Sequence, residues 1–108
     1  MILNVYEKRK IVKTYTTAEY DLMFGTLEDV ANAVNLDELK TGTETEIMRL
    51  VLGLVTRNLA TVKDLMKDIF DGITDEELRK TKVTEMASVI ADVVRYTIVQ
   101  LNIDAPKN

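Results

Sequence analysis

The sequence predicts an α+β fold that is mainly helical: an N-terminal β-hairpin followed by four to five helices, two of them long and amphipathic. Three observations carry this expectation. Ile, Val, Tyr and Thr crowd residues 2–6 and 11–16, with Glu7-Lys8-Arg9-Lys10 between them. Apolar residues recur at helical spacing from Ile47 to Phe70 and again from Val83 to Leu101. The chain has 108 residues, 46% of them hydrophobic, which suits one core in one domain over 1–108, since single domains run to about 100–150 residues.

Two β-prone runs joined by four polar residues read as a hairpin over 1–16. A lone hairpin is marginal in water, so this one must pack on helices or on another chain. Residues 18–24 fit either a short strand or a turn of helix. Thr26-x-x-Asp29 resembles a capping box, and Leu27, Val30, Ala31 and Val34 follow at helical spacing. That predicts a helix over 26–35, with a break near Asn35 and a loop at Lys40-Thr41-Gly42.

Thr43-x-x-Glu46 is a capping box that opens the next helix. Apolar side chains at 47, 50, 51, 54, 55, 59, 62, 65, 66, 69 and 70 stay on one broad face. The retained phase favours one helix over 44–70. Thr61-x-x-Asp64 is a second start signal that would divide it. Asn58 lies on the apolar face and marks either a kink or a buried amide.

Asp71-Gly72 predicts a helix stop, with Gly as a left-handed cap. Thr74-x-x-Glu77 opens a short helix over 75–80, and Thr81 is placed to cap the last helix, 82–102. The stripe of that helix is Val83, Met86, Ile90, Val93, Val94, Thr97, Ile98 and Leu101. Residues 103–108 form a tail. The expected core is Leu27, Val30, Ile47, Val51, Leu54, Val62, Leu65, Ile69, Phe70, Ile90, Val94, Ile98 and Leu101.

The composition excludes much chemistry. There is no Cys and no His, which removes thiolate nucleophiles, imidazole bases and the common zinc sites. Acidic residues surround Gly72, but an EF-hand with Gly72 at its sixth position would place Lys67, Ile69 and Leu78 where oxygen ligands are needed. Acids in the first turn of a helix are explained by its dipole. No carboxylate pair stands out for glycoside chemistry. The expectation is a protein without catalytic residues, metal or cofactor.

Charge is unevenly placed. Residues 1–16 hold Lys8, Arg9, Lys10 and Lys13 against Glu7, a net of +3, so the remainder carries −7 to give the overall −4. An acidic body argues against a nucleic-acid partner. Residues 74–102 could pass for a helix-turn-helix, but Lys82 and Arg95 are the only cations of its second helix. The longest apolar run, residues 50–55, is far below the about 20 residues of a membrane helix. The N-terminus has no signal-peptide pattern, so the chain is expected to stay where it is made.

The last helix carries a second line, Glu85, Val89, Asp92, Tyr96 and Val99, roughly opposite its main stripe. Val89, Tyr96 and Val99 there predict a surface covered by the hairpin, another subunit or a partner. With the basic Lys8, Arg9 and Lys10 they form the candidate interaction residues. A homo-oligomer using residues 2–16, this line or both is expected.

Three stretches carry a resemblance: Tyr20-Asp21-Leu22-Met23-Phe24-Gly25-Thr26-Leu27-Glu28-Asp29, Lys67-Asp68-Ile69-Phe70-Asp71-Gly72-Ile73-Thr74-Asp75-Glu76-Glu77-Leu78, and Thr81-Lys82-Val83. With the lead-in Val12-Lys13-Thr14-Tyr15, the chain resembles small tail assembly chaperones of long-tailed bacteriophages and prophages of Gram-positive hosts. The resemblance implies a non-catalytic protein of the bacterial host cytoplasm. It implies that the protein binds the tape-measure protein, keeps it soluble during tail assembly, and is absent from the mature virion. In the family a ribosomal frameshift often adds a longer form. A phage structural component, such as a head–tail or tail-tube accessory protein, is the alternative, and a small DNA-binding regulator a more distant one.

Overall fold

The hairpin forms as the β-branched runs require. A computed structural model describes residues 1–34 and 43–101, with the side chain of Leu101 outside the description. Strand β1 spans Ile2–Glu7 and β2 spans Lys10–Thr16, paired antiparallel. Glu7 faces Lys10, so the loop is Lys8-Arg9 alone. Both residues have positive φ, 51° and 72°, the left-handed pair that a two-residue turn needs to match the strand twist. Ile2 through Val5 face Thr16 through Lys13, then Tyr6 faces Ile11, leaving Val12 as a bulge. Leu3 and Val5 point inward and are buried, while Ile11 and Val12 are exposed.

A 3₁₀ turn at Glu19–Asp21 leads into α1, Phe24–Val34. Residues 18–24 therefore take the helical alternative. Helix α1 begins two residues before the expected Thr26. The amides of Thr26 and Leu27 donate to the carbonyl of Met23, and Thr26 is buried inside the first turn rather than capping it. The expected break near Asn35, the loop at 40–42 and the tail at 103–108 lie outside the described residues, as do the last residues of the expected helices 26–35 and 82–102.

The single helix expected over 44–70 is two: α2, Glu44–Arg57, and α3, Leu59–Ile69. Asn58 divides them with φ −142° and ψ 68°. Its amide closes α2 onto the Leu54 carbonyl, and its side chain accepts from the Thr61 amide at 3.3 Å. Asn58 is thus an exposed N-cap, neither a buried amide nor a simple kink, as befits one of the strongest capping residues. The apolar phase survives the break because both helices pack on the same core: α2 against α5 and α3 against α1. Thr43 caps α2 by accepting from the Glu46 amide, the hydroxyl half of the expected capping box.

Gly72 has the expected positive φ, +88°, but it does not cap α3. Phe70 does, with extended backbone, and Gly72 lies in the turn closed by the Ile73 amide on the Phe70 carbonyl. No atom lies within 4 Å of a Cβ built there, so only backbone strain opposes a side chain. Gly72→Ala should cost about 1–2 kcal/mol in urea unfolding, with helicity unchanged. An unchanged midpoint would contradict the left-handed assignment. The capping box Thr74–Glu77 is complete and opens α4, Asp75–Leu78, shorter than the expected 75–80. Helix α5 is Val83–Leu101. Thr81 does not cap it: its hydroxyl donates to the Leu78 carbonyl at 2.7 Å, and the Lys82 carbonyl receives the Met86 amide.

The core matches the pattern with few exceptions. Leu27, Val30, Ile47, Val51, Leu54, Val62, Leu65, Ile69, Phe70, Ile90 and Val94 are buried, joined by Leu3, Met66, Ile73, Leu78 and Val93. Ile98 is only partly buried, and Val83, placed in the stripe, is exposed because α5 starts there, beyond the packed segment.

Candidate protein-interaction surfaces

The second line of α5 is covered at one end by the chain's own hairpin. The Asn4 amide donates to Glu85 Oε1 at 3.0 Å and the Tyr6 hydroxyl donates to Glu85 Oε2. Val89 is 1% exposed and belongs to the core. It is therefore removed from the candidate interaction residues. Tyr96 is half-buried against the core, and Val99 stands 71% exposed at the far end. The line 89/96/99 thus runs from core to solvent and is not one continuous free surface.

A second latch holds the other strand. The Tyr15 hydroxyl donates to Glu77 Oε1 at 2.5 Å, Lys13 Nζ lies 3.4 Å from Glu77 Oε2, and the Thr17 hydroxyl donates to the Ile69 carbonyl. A third contact joins the turns: the Tyr6 amide donates to the Lys80 carbonyl at 2.8 Å, and Lys80 Nζ donates to Glu7 at 2.8 Å. These contacts shift the titrations. Burial pushes the Glu85 carboxyl up, but hydrogen bonds from Tyr6 and Asn4 outweigh it and hold the group below its usual range. The Tyr15 hydroxyl and the Thr74 amide hold Glu77 low, and Lys80 holds Glu7 low. The hydrogen bond to Glu85 pushes the Tyr6 phenol up.

Between the hairpin base, the 3₁₀ turn and the end of α3 runs a groove of about 450 Å³. Leu22, Met23, Ile69 and Phe70 contribute apolar lining, and Asp21, Asp68 and Asp71 contribute carboxylates. In the neighbouring sequence Tyr20 is 81% exposed, Met23 73% and Phe24 61%. These large apolar side chains follow from the local geometry. The 3₁₀ turn and the first turn of α1 bury only Thr26 and Leu27 inward, which leaves 20, 23 and 24 outside. Helical or strand periodicity could not find this cluster, because it spans the junction between two elements. Its only sequence signal is the density of large apolar residues in 20–24.

Lys8, Arg9 and Lys10 are exposed at the hairpin turn. The turn contact above brings Arg9 to Arg79, Lys80 and Lys82, which line a common concavity. Adjacency in the sequence groups only Lys8, Arg9 and Lys10 around the hairpin turn. The others were visible as charges, but their neighbourhood depends on a contact between residues far apart in the chain.

Among the described residues no group of three acidic side chains is arranged to hold a metal ion, and no helix is long and apolar enough to cross a membrane. No family model matches the chain, and comparison with curated proteins and with solved structures gives no match.

Proposed function

We propose that the chain is a non-catalytic tail assembly chaperone that binds the tape-measure protein and keeps it soluble until tail-tube subunits assemble around it. The observation that carries this reading is the run of exposed large apolar side chains Tyr20, Met23 and Phe24, of which Met23 lines an open groove. Large apolar side chains gathered at a surface mark binding sites for other chains. A helical client offers apolar side chains at regular spacing to such a groove. The cluster falls within the first stretch that resembles the chaperone family. On this reading the protein works in the host cytoplasm and is left out of the virion.

Co-expression with the tape-measure protein of the same operon tests the reading. The client should stay soluble and co-purify with the chain. Insoluble client with no complex would refute it. Mass spectrometry of purified virions separates the chaperone from a structural component, which would persist in the particle.

Self-association belongs to the same proposal. Lys10, Lys13 and the Val12 bulge oppose strand pairing on the outer edge of β2. With Val89 covered, the half-exposed Tyr96 and the exposed Val99 become the expected contact. Light scattering at micromolar concentration should show an oligomer, and Tyr96→Glu should dissociate it with helicity intact. A strict monomer, or an unfolded variant, contradicts the expectation.

A further inference from the structure

The hairpin turn and the α4–α5 turn close on each other, and the result is a concentration of positive charge on an acidic protein. Arg9, Arg79, Lys80 and Lys82 line one open concavity of about 540 Å³ together with Tyr6 and Thr81. Lys82 Nζ lies 4.5 Å from the centre of the Tyr6 ring. Lys8 and Lys10 flank Arg9 in the turn.

Elsewhere the cations are largely neutralised. Lys13 pairs with Glu77, Lys63 and Lys67 with Asp75, and Arg95 with Glu44 and Asp92. Here Lys80 pairs with Glu7, and Lys82 feels the nearby Glu85 carboxylate without forming an ion pair, while Arg9 and Arg79 form no ion pair among the described residues. Among the described cations that form no ion pair, Lys8, Arg9, Lys10, Arg79 and Lys82 gather at this end, and only Arg49 and Arg57 lie elsewhere.

Like charges brought around one concavity raise one another's energy. A ligand with several negative charges relieves this, whereas a single carboxylate compensates one cation. Arg9 and Arg79 add guanidinium forks, whose geometry matches phosphate oxygens two at a time, and the lysines add point charges. The rest of the surface is acidic, with a whole-chain charge of −4. A long polyanion would leave the concavity and run onto like charge. We infer that this concavity is a binding site for a small anion carrying more than one phosphate. The assignment is independent of the chaperone reading.

Titration calorimetry of the full chain at low salt, with inorganic tripolyphosphate as the probe, tests it. One molecule should bind per chain, and added salt should weaken binding. Arg79→Glu and Arg9→Glu should each weaken it about tenfold or more, with unchanged circular dichroism. Arg49→Glu makes the same charge change on α2 and should leave binding nearly unaltered. ATP and adenosine form the second arm. ATP binding like tripolyphosphate, with adenosine silent, assigns recognition to the phosphates alone. ATP binding more tightly assigns the phosphates to a nucleotide. Absence of tripolyphosphate binding overturns the inference, as does an equal loss in Arg49→Glu. Duplex DNA that binds more tightly than tripolyphosphate would overturn the small-anion assignment.

Discussion

Phe70→Ala should be the most damaging single truncation on the hairpin side of the core, costing about 3–5 kcal/mol. Phe70 is almost fully buried where α3 ends. Its ring lies 6.4 Å from that of Tyr15, centre to centre, at a tilt of 59°, within the geometry in which aromatic pairs attract. Truncation removes the ring's burial and leaves a cavity between helix and hairpin. Domains of this size are stable by only about 5–15 kcal/mol, so the loss is a large part of the total. Urea unfolding should show a lower midpoint with little change in slope. A cost below about 1 kcal/mol would mean that the hairpin can close over the gap, and would contradict the packing described here.

The second large effect is expected at Glu85. Glu85→Ala removes the acceptor of both the Asn4 amide and the Tyr6 hydroxyl. Both donors are only partly buried, so water replaces part of what is lost. The effect is the loss of two hydrogen bonds rather than of buried partners, and hydrogen exchange should rise in β1 before it rises in α5. The pH profile gives an independent check. Glu7, Glu77 and Glu85 are all held below their usual range. Their contribution is therefore present above the unfolded carboxylate value of about 4.3. It is lost as pH falls through the lower folded values. Tyr6 is raised, so its contribution is complete below the ordinary phenol value of about 10. That contribution fades as pH rises through the higher folded value. Stability should form a plateau with an acid limb and an alkaline limb. In Glu85→Ala the alkaline limb should weaken, because Tyr6 no longer gains a partner on folding. An unchanged alkaline limb would contradict the Tyr6–Glu85 latch.

The parts of the fold that were legible in the sequence are those set by local chemistry. The hairpin followed from β-branched runs around a charged turn. The helix starts at Thr43 and Thr74 followed from their capping residues, and the turn after α3 from the positive φ of Gly72. The division at Asn58 was hidden because α2 and α3 both face one core. The apolar phase runs through the break and disguises it. Thr26 misled for a related reason: its hydroxyl is suited to a cap, yet tertiary packing takes it inside α1. The covering of Val89 was foreseen only as one of three alternatives. Periodicity reports that a face is apolar, not which element lies on it. The surfaces were least legible. The cluster at 20, 23 and 24 lies across an element junction, and the cations at 79, 80 and 82 join Arg9 only after the hairpin folds back onto α4 and α5.

The central claim is that the surface around Tyr20, Met23 and Phe24 holds a helical client. It is tested most directly by repeating the tape-measure co-expression with Met23→Glu/Phe24→Glu. Both side chains are largely exposed, so the variant should keep wild-type helicity and thermal midpoint. Wild-type chain should hold the tape-measure protein in the soluble fraction, and the folded double variant should lose it to the pellet. A folded double variant that retains the client as well as wild type would contradict the claim.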